Sequence, residues 1–482
     1  MNILFLAAEA EPFIKVGGLA DVAGSLPPAI QQVASNDHID IRVVIPFHGA
    51  LQRQSLPMHF VTQVQVKHYP QYVEAEIYQL EHTGVPTYLI GGTLLSPNAP
   101  VYTSDSSLDG IKYTYFSMAA LELCKELNWK PDLVHANDWH TAPALYALKV
   151  FKEPFFSQTG KLITIHNLPY LGHGAADALG EFGLPPAVNS QLPVWAQQLP
   201  LPVGLYAADK IVAVSPTYAK EILTADFGAG LDGYLATRQE DLCGILNGID
   251  YSLWNPKTDQ IIKYPYDQDH LTNKINNKTK ILQDFNLSIE PDTILIGMIT
   301  RMDYQKGVDL AIQALQSIHD QPWQAIILGT GNPVLEQTAF QLHLQFPQRV
   351  RSVLRFDPGL SRQIYAAADL LLIPSRYEPC GLTQMIAMKY GTIPLGRATG
   401  GLKDTIIDNQ DPSTWCGFLF DKPTPEDLAQ TLLRAIEAYR NSNLWQKMQL
   451  NAMNQDFSWK RSAAKYFHLY QEIYDRYHDQ AE

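Results

Sequence analysis

The chain of 482 residues is too long for one hydrophobic core, and ordinary domain sizes make two large domains the starting expectation. With 46% hydrophobic and 18% charged residues it has the composition of a folded globular protein, which excludes a disordered or fibrous chain. A formal net charge of −13 repels phosphate backbones and anionic lipid, so neither nucleic acid nor a membrane is expected as a partner, and an anionic ligand must meet locally placed cations.

Cys124, Cys243, Cys380 and Cys416 lie far apart, make no Cys-x-x-Cys pair or zinc pattern, and fit a reducing compartment. The run Met1-Asn-Ile-Leu-Phe-Leu-Ala-Ala lacks a basic leader and stops at Glu9 and Glu11, so it reads as a first strand. No stretch approaches the ~20 apolar residues that span a bilayer, and a cytoplasmic location is expected.

Along the first half, short apolar runs at Ile3–Ala8, Ile41–Ile45, Leu133–Ala136, Leu162–Ile165 and Lys210–Val214 alternate with helical spacing at Tyr113–Glu126 and Thr141–Val150. That alternation predicts a parallel sheet covered by helices on both faces. Val61–Val66, Val73–Leu80 and Val85–Ile90 are separated by turn residues and predict an added antiparallel meander. The stretch Lys257–Ile289 has weak periodicity, after which strands are expected at Ile294–Thr300, Ala325–Leu328, Leu370–Ile373 and Ile393–Gly396. Helices are predicted over Gly307–Ile318 and Gly381–Tyr390, and another is opened by Thr424 as cap with Pro425 in its first turn. The aromatic stripe of Trp459–Tyr474 predicts a docked terminal helix. The fold class is therefore α/β, with two doubly wound Rossmann-like domains facing each other across a cleft and the chemistry in strand-to-helix loops.

Five loops hold candidate residues. Lys15-Val-Gly-Gly-Leu-Ala-Asp-Val follows the first strand; Gly17 and Gly18 permit positive φ and close backbone approach, and the following helix presents N–H groups to an anion. In Thr300-Arg-Met-Asp-Tyr-Gln-Lys-Gly, Arg301 and Lys306 flank one turn, a placement suited to a diphosphate that gains charge as it leaves. In Pro374-Ser-Arg-Tyr-Glu-Pro-Cys-Gly-Leu-Thr-Gln, Pro379 holds Glu378 extended, and its carboxylate suits sugar hydroxyls or a developing oxocarbenium charge. Asp138 and His166 trail two strands of the first domain and suit sugar hydroxyls, whereas His135 and His140 read as packing residues. No carboxylate or cysteine keeps metal-ligand spacing with these histidines.

These loops, with Ser215-Pro-Thr-Tyr, Ile245-Leu-Asn-Gly-Ile-Asp, Gln305-Lys-Gly and Thr399-Gly-Gly-Leu, resemble those of bacterial glycogen synthases and plant starch synthases, retaining glycosyltransferases of the GT-B fold. The resemblance spans nearly the whole chain. It implies an enzyme that transfers glucose from ADP-glucose to the non-reducing end of an α-1,4-glucan, with no cofactor or metal. It implies catalytic roles for Glu378, His166, Lys306 and Arg301, and nucleotide-sugar contacts from Lys15, Gly18, Arg301, Lys306, Cys380, Gly381 and Thr383. Asp21, Asp138 and Asn247 match sugar or acceptor positions. It also implies an acceptor-side domain over residues 1–245, a nucleotide-sugar domain over 246–456, and a terminal helix in 457–482 crossing back to the first.

The chain departs from the family pattern at Ser106-Ser-Leu-Asp-Gly-Ile-Lys, read as a shortened loop before the helix at Tyr113, and at Trp195-Ala-Gln-Gln-Leu-Pro-Leu-Pro-Val-Gly. Ile386 stands where the family tends to have tyrosine. Acceptor identity and the choice of ADP- over UDP-glucose are therefore open at the level of sequence. The competing readings are a GT-B transferase with a small acceptor, a catalytically silent glucan-binding homologue and a sugar-nucleotide epimerase.

Overall fold

The computed structural model describes every residue except 36, 37, 53, 82, 83, 96, 97, 99 and 479–482. The chain forms two compact units, Met1–Gly248 together with the chain from Trp459 onward, and Ile249–Ser458. Entry to and exit from the second unit are tied together, since the Ile249 amide donates to the Phe457 carbonyl at 2.8 Å and Ile249 pairs with Ser458 in a parallel bridge.

Among the described residues the first unit has a nine-stranded sheet. Its strands are β1 (Asn2–Leu6), β2 (Asp40–Pro46), β3 (Met58–His68), β4 (Gln71–Leu80), β5 (Thr87–Ile90), β6 (Leu133–Asn137), β7 (Gly160–Ile165), β8 (Lys210–Ala213) and β9 (Leu242–Gly244), in the order β3-β4-β5-β2-β1-β6-β7-β8-β9. The predicted meander is antiparallel from β3 through β5, and β5 joins it to the sheet by pairing parallel with β2. Ile3–Leu6 are all buried, as expected of a central parallel strand covered on both faces. Strand order reverses beside β1, which has β2 on one side and β6 on the other. Ligands of open α/β sheets bind beyond the carboxyl ends of strands at such a point.

Ser106–Lys112 is not a loop. It forms the first two turns of the helix Ser106–Glu126, because Asp105 caps the amides of Ser107 and Leu108 at 3.0 and 3.4 Å. One turn in, Lys112 pairs with Asp109 at 2.6 Å, both buried.

The helix Trp459–His478 packs against the helix Gly18–Val33 and the strands β6 and β7. Its fully buried Tyr470 hydroxyl lies 2.7 Å from His135 Nδ1, and His135 Nε2 lies 2.7 Å from Thr164 Oγ1. Burial drives the His135 pKa well below its ordinary value, so the ring is a neutral link between sheet and terminal helix.

The second unit, among its described residues, has a six-stranded, all-parallel sheet of β10 (Ile294–Ile299), β11 (Trp323–Leu328), β12 (Val350–Val353), β13 (Leu370–Ile373), β14 (Ile393–Arg397) and β15 (Phe418–Phe420). The order β12-β11-β10-β13-β14-β15 puts the reversal between β10 and β13. The Arg301–Lys306 loop follows β10 and the Glu378 loop follows β13, so both leave the sheet at its switch point. Thr424 caps the helix Pro425–Arg440 through the Asp427 amide at 3.3 Å, and that helix buries Leu428, Leu432, Ala435 and Ile436 in the core of this unit. The weakly periodic stretch contains a helix, Lys274–Asp284, whose buried residues include Lys274 and Lys278. Among the described residues no helix is long and apolar enough to cross a membrane.

Candidate active site

Arg301, Lys306, Glu378 and Thr383 line one cavity in the second unit, with Thr300 and Ser375. Lys306 Nζ donates to both carboxylate oxygens of Glu378, at 2.8 and 2.7 Å, and Ser375 Oγ donates to Oε2 at 2.7 Å. Glu378 is buried, and a buried carboxylate is tolerated only when paired and hydrogen-bonded in this way. Arg301 is more open, with its guanidinium 3.4 Å from Asp303. Cys380 is buried and is not among the residues that line the cavity, and no disulfide involves it or the other three cysteines.

The geometry of this pair comes from the backbone of two loops. Lys306 ends a 3-10 turn, Tyr304–Lys306, capped by Asp303, whose Oδ1 accepts from the Lys306 amide at 3.0 Å. Gly307 then takes φ +65, and a Cβ on it would sit 2.0 Å from the Pro374 carbonyl oxygen, so only glycine lets the two loops lie this close. Gly400 does the same from the opposite side, at φ +44, with an added Cβ 2.0 Å from the Glu378 carbonyl oxygen. Arg376 fastens the loops to each other: its guanidinium donates to Asp309 at 2.9 and 2.8 Å and to the Tyr304 carbonyl at 2.7 Å, while its amide donates to the Gln305 carbonyl at 2.7 Å. No separate role is assigned to Arg376 by the sequence, because a lone arginine in a loop carries no signal of its partners.

In the first unit Asp138 and His166 are brought together. Asp138 closes β6 in the left-handed region, at φ 56, and its Oδ1 accepts from the amides of His166 at 2.7 Å and Asn167 at 3.4 Å. Burial is the main cause of an Asp138 pKa pushed up to about 7, against the lowering effect of those two amides. His166 Nε2 lies 2.9 Å from Asn137 Oδ1, and Asn137 Nδ2 donates to the Leu6 carbonyl at 2.9 Å. Because the Leu6 carbonyl can only accept, the Asn137 amide oxygen must face the histidine, and His166 therefore carries its proton on Nε2. Burial lowers the His166 pKa to about 3, which leaves a neutral ring with Nδ1 as an acceptor. Asn247 is buried, and its Oδ1 has no hydrogen-bond partner among the described residues.

The glycine loop differs from expectation. Gly17 has φ −139, an extended conformation open to any residue, and Gly18 is the first residue of the helix Gly18–Val33; neither takes positive φ. The amides of Val16 and Gly17 are already engaged by the Glu9 carboxylate, at 3.2 and 3.1 Å for Gly17, and Tyr102 donates to the same group at 3.1 Å. Glu9 reads in the sequence only as the end of an apolar run. Lys15 pairs with Asp21 at 2.7 Å and with Glu11 at 3.4 Å, so residues expected to serve nucleotide and sugar separately form one ion pair. Among the described residues no group of three or more His, Cys, Asp or Glu side chains is placed to hold a metal ion.

Comparison with known proteins accounts for both halves of this arrangement. The starch synthase catalytic domain family matches residues 2–237, and the group 1 glycosyl transferases match residues 279–454. Glycogen synthase of Thermotoga maritima is 38% identical over 484 residues, covering 98% of each chain. The chain belongs to the glycogen and starch synthase family. The catalytic domain of starch synthase IV from Arabidopsis thaliana, solved with ADP and acarbose, superimposes with a TM-score of 0.89 at 32% identity, over 98% of this chain and 99% of that one. The fold of this synthase-family chain is GT-B. Sucrose-phosphate synthase from Thermosynechococcus elongatus, at 17% identity and a TM-score of 0.62 over 98% of this chain and 99% of its own, shares the fold alone.

Proposed function

We propose that the chain is a glycogen synthase that transfers glucose from ADP-glucose, with retention, to the non-reducing end of an α-1,4-glucan. The observation that supports this most directly is the convergence of Arg301, Lys306 and Glu378 on one cavity at the switch point of the second sheet. In the reaction the bond from glucose C1 to the diphosphate oxygen breaks, and its electron pair leaves with the ADP. Arg301 and Lys306 offset the charge that develops there, more strongly in the transition state than in the ground state. The acceptor 4-hydroxyl oxygen bonds to C1 on the face the diphosphate leaves, and its proton passes to the departing phosphate oxygen. Glu378, held by Lys306 and Ser375, is placed to bind sugar hydroxyls and to shield positive charge at C1.

His166 is neutral at physiological pH and so acts by hydrogen bonding to sugar hydroxyls through Nδ1, not as a general acid. Asp138 positions it through the backbone. Lys15 and Gly18 are assigned to the nucleotide, Cys380, Gly381 and Thr383 to the sugar nucleotide, and Asp21 and Asn247 to sugar contacts. The two cations take the place of a metal at the leaving group, and the enzyme is assigned to the cytosol.

A donor panel tests the reading. Purified protein with labelled ADP-, UDP- or GDP-glucose and glycogen should label glycogen from ADP-glucose, in a product that β-amylase degrades. Label appearing instead in a small polyol or sugar phosphate would replace the glucan assignment with the small-acceptor one. Absence of both transfer and donor hydrolysis would leave a silent homologue.

A further inference from the structure

A cavity of ≈ 810 Å³ lies in the first unit, at the amino ends of β7, β8 and β9. Asp138 and His166 are at the carboxyl ends of β6 and β7, on the opposite edge of the same sheet. Its walls come from the end of the helix Ala142–Phe151, the starts of those three strands, and the last turns of the helix Trp459–His478.

The lining carries more positive than negative charge. Of its carboxylates, Asp209 is matched by Lys161 at 3.1 Å, Asp241 by Arg238 at 3.0 Å, and Glu153 by Lys125 at 3.0 Å. Lys149, Lys152 and Arg476 also line the cavity, and among the described residues none of them has a carboxylate within 4.0 Å. In a chain of net charge −13 this local excess runs against the overall field. Burial first, and then the charges of Lys161, Arg238 and Lys152, push the Lys149 pKa below its ordinary value, with Asp209 offsetting only part. The group therefore sits among like charges that a bound anion would relieve.

The charged lining favours an anion over a neutral sugar. Lys149 Nζ stands 4.4 Å above the Tyr206 ring, and Lys161 Nζ 4.9 Å from the Tyr477 ring centroid. The Tyr206 face is thus covered by a cation, whereas Lys161 donates to the Tyr477 hydroxyl at 2.6 Å instead of standing over that ring. A phosphate group finds three donors with unspent charge.

We propose that this cavity is a second anion site, which takes a small phosphorylated molecule through Lys149, Lys152 and Arg476, separate from the donor site of the second unit. Because Arg476 belongs to the terminal helix, the anion fastens that helix to the end of Ala142–Phe151 and stabilises the first unit by mass action.

The test titrates the full chain with inorganic pyrophosphate at fixed ionic strength, with ADP at saturating concentration, and follows calorimetric heat and the melting temperature. The expected result is saturable binding of one pyrophosphate per chain that persists with ADP and in Lys306→Ala. It should be weakened about ten-fold or more in Lys149→Glu. Lys149→Met with Arg476→Met removes both charges while keeping an apolar stem at each position, and serves as a second variant should Lys149→Glu melt early. Absence of saturable heat overturns the proposal, as does binding that ADP or Lys306→Ala abolishes while both Lys149 variants leave it unchanged. A chloride control at equal ionic strength that reproduces the full shift also overturns it, since it reports general screening.

Discussion

Both carboxylate oxygens of Glu378 accept from the single ammonium group of Lys306, at 2.8 and 2.7 Å. The cation assigned to the diphosphate is therefore also the partner of a buried carboxylate, and its removal strands that carboxylate. Lys306→Ala should lower turnover by on the order of 10²–10³ with saturating ADP-glucose. It should also lower stability, by roughly 2–4 kcal/mol. Lys306→Met combined with Glu378→Gln should recover most of the stability and none of the turnover. Steady-state kinetics beside a denaturant melt separates the two effects, and near wild-type turnover in Lys306→Ala would remove the diphosphate assignment.

Asp138 predicts a signed pH dependence. Its folded pKa of about 7 lies above the ordinary 3.8, so between these values the unfolded chain has lost a proton that the native chain keeps. Stability from this group is full below about 4 and falls as pH rises toward 7. Asp138→Asn retains an oxygen to accept from the His166 amide but has no charge to bury. The melting temperature of the variant minus that of the wild type should grow from pH 4 to pH 8. A difference that is flat across this range would refute the buried-carboxyl account.

Gly400→Ala places a Cβ 2.0 Å from the Glu378 carbonyl oxygen in a residue at φ +44. The backbone strain alone is worth about 1–3 kcal/mol, and the clash displaces the residue that holds Lys306. Both the melting temperature and the turnover should fall, although Gly400 has no side chain to touch a substrate. Wild-type turnover in a folded Gly400→Ala protein would show that Glu378 tolerates the displacement.

Tyr470→Phe removes the hydroxyl that faces His135 Nδ1 in a fully buried setting. The expected cost is about 1–3 kcal/mol, the usual penalty for leaving one buried polar group unmatched. Transfer activity per folded molecule should be unchanged. A selective loss of turnover would place His135 in the chemistry instead of the packing.

EDTA should leave transfer unaffected, as expected if Arg301 and Lys306 supply the counter-charge at the leaving group. Loss of activity restored by Mg²⁺ or Mn²⁺ would contradict that assignment.

Strands buried on both faces were the easiest part of the fold to read. Leu370–Ile373 is four consecutive apolar residues, and the observed β13 has the same limits. The Thr424 cap was legible because its oxygen and Pro425 both act locally. The helix Lys274–Asp284 was hidden because part of its buried face is charged: Lys274 is satisfied by the carbonyls of Tyr365 and Ala366 and by Thr392, and Lys278 by Asp369, partners about 90 to 120 residues away that periodicity cannot register. β9 and β15 are three residues each, and β12 reads Val-Arg-Ser-Val, too short for any pattern. The site shows the same division. Glycine-bearing loops next to strand ends could be found from sequence, but the Glu9 carboxylate bound to the Gly17 amide and the Arg376 clamp depend on chain paths known only after folding.

The path of the chain also bears on how the protein is made. The second unit is interposed between the main body of the first and the helix Trp459–His478, whose Tyr466 and Tyr470 are fully buried against the first sheet. During synthesis from the amino end, the main body of the first unit emerges early but lacks this part of its hydrophobic cover until the segment Trp459–His478 leaves the ribosome. The second unit, contiguous in sequence, can close as soon as Ser458 is free. The unit whose main body is translated first is thus the one completed last, and in the interval its uncovered face is open to self-association, the more so the slower the elongation.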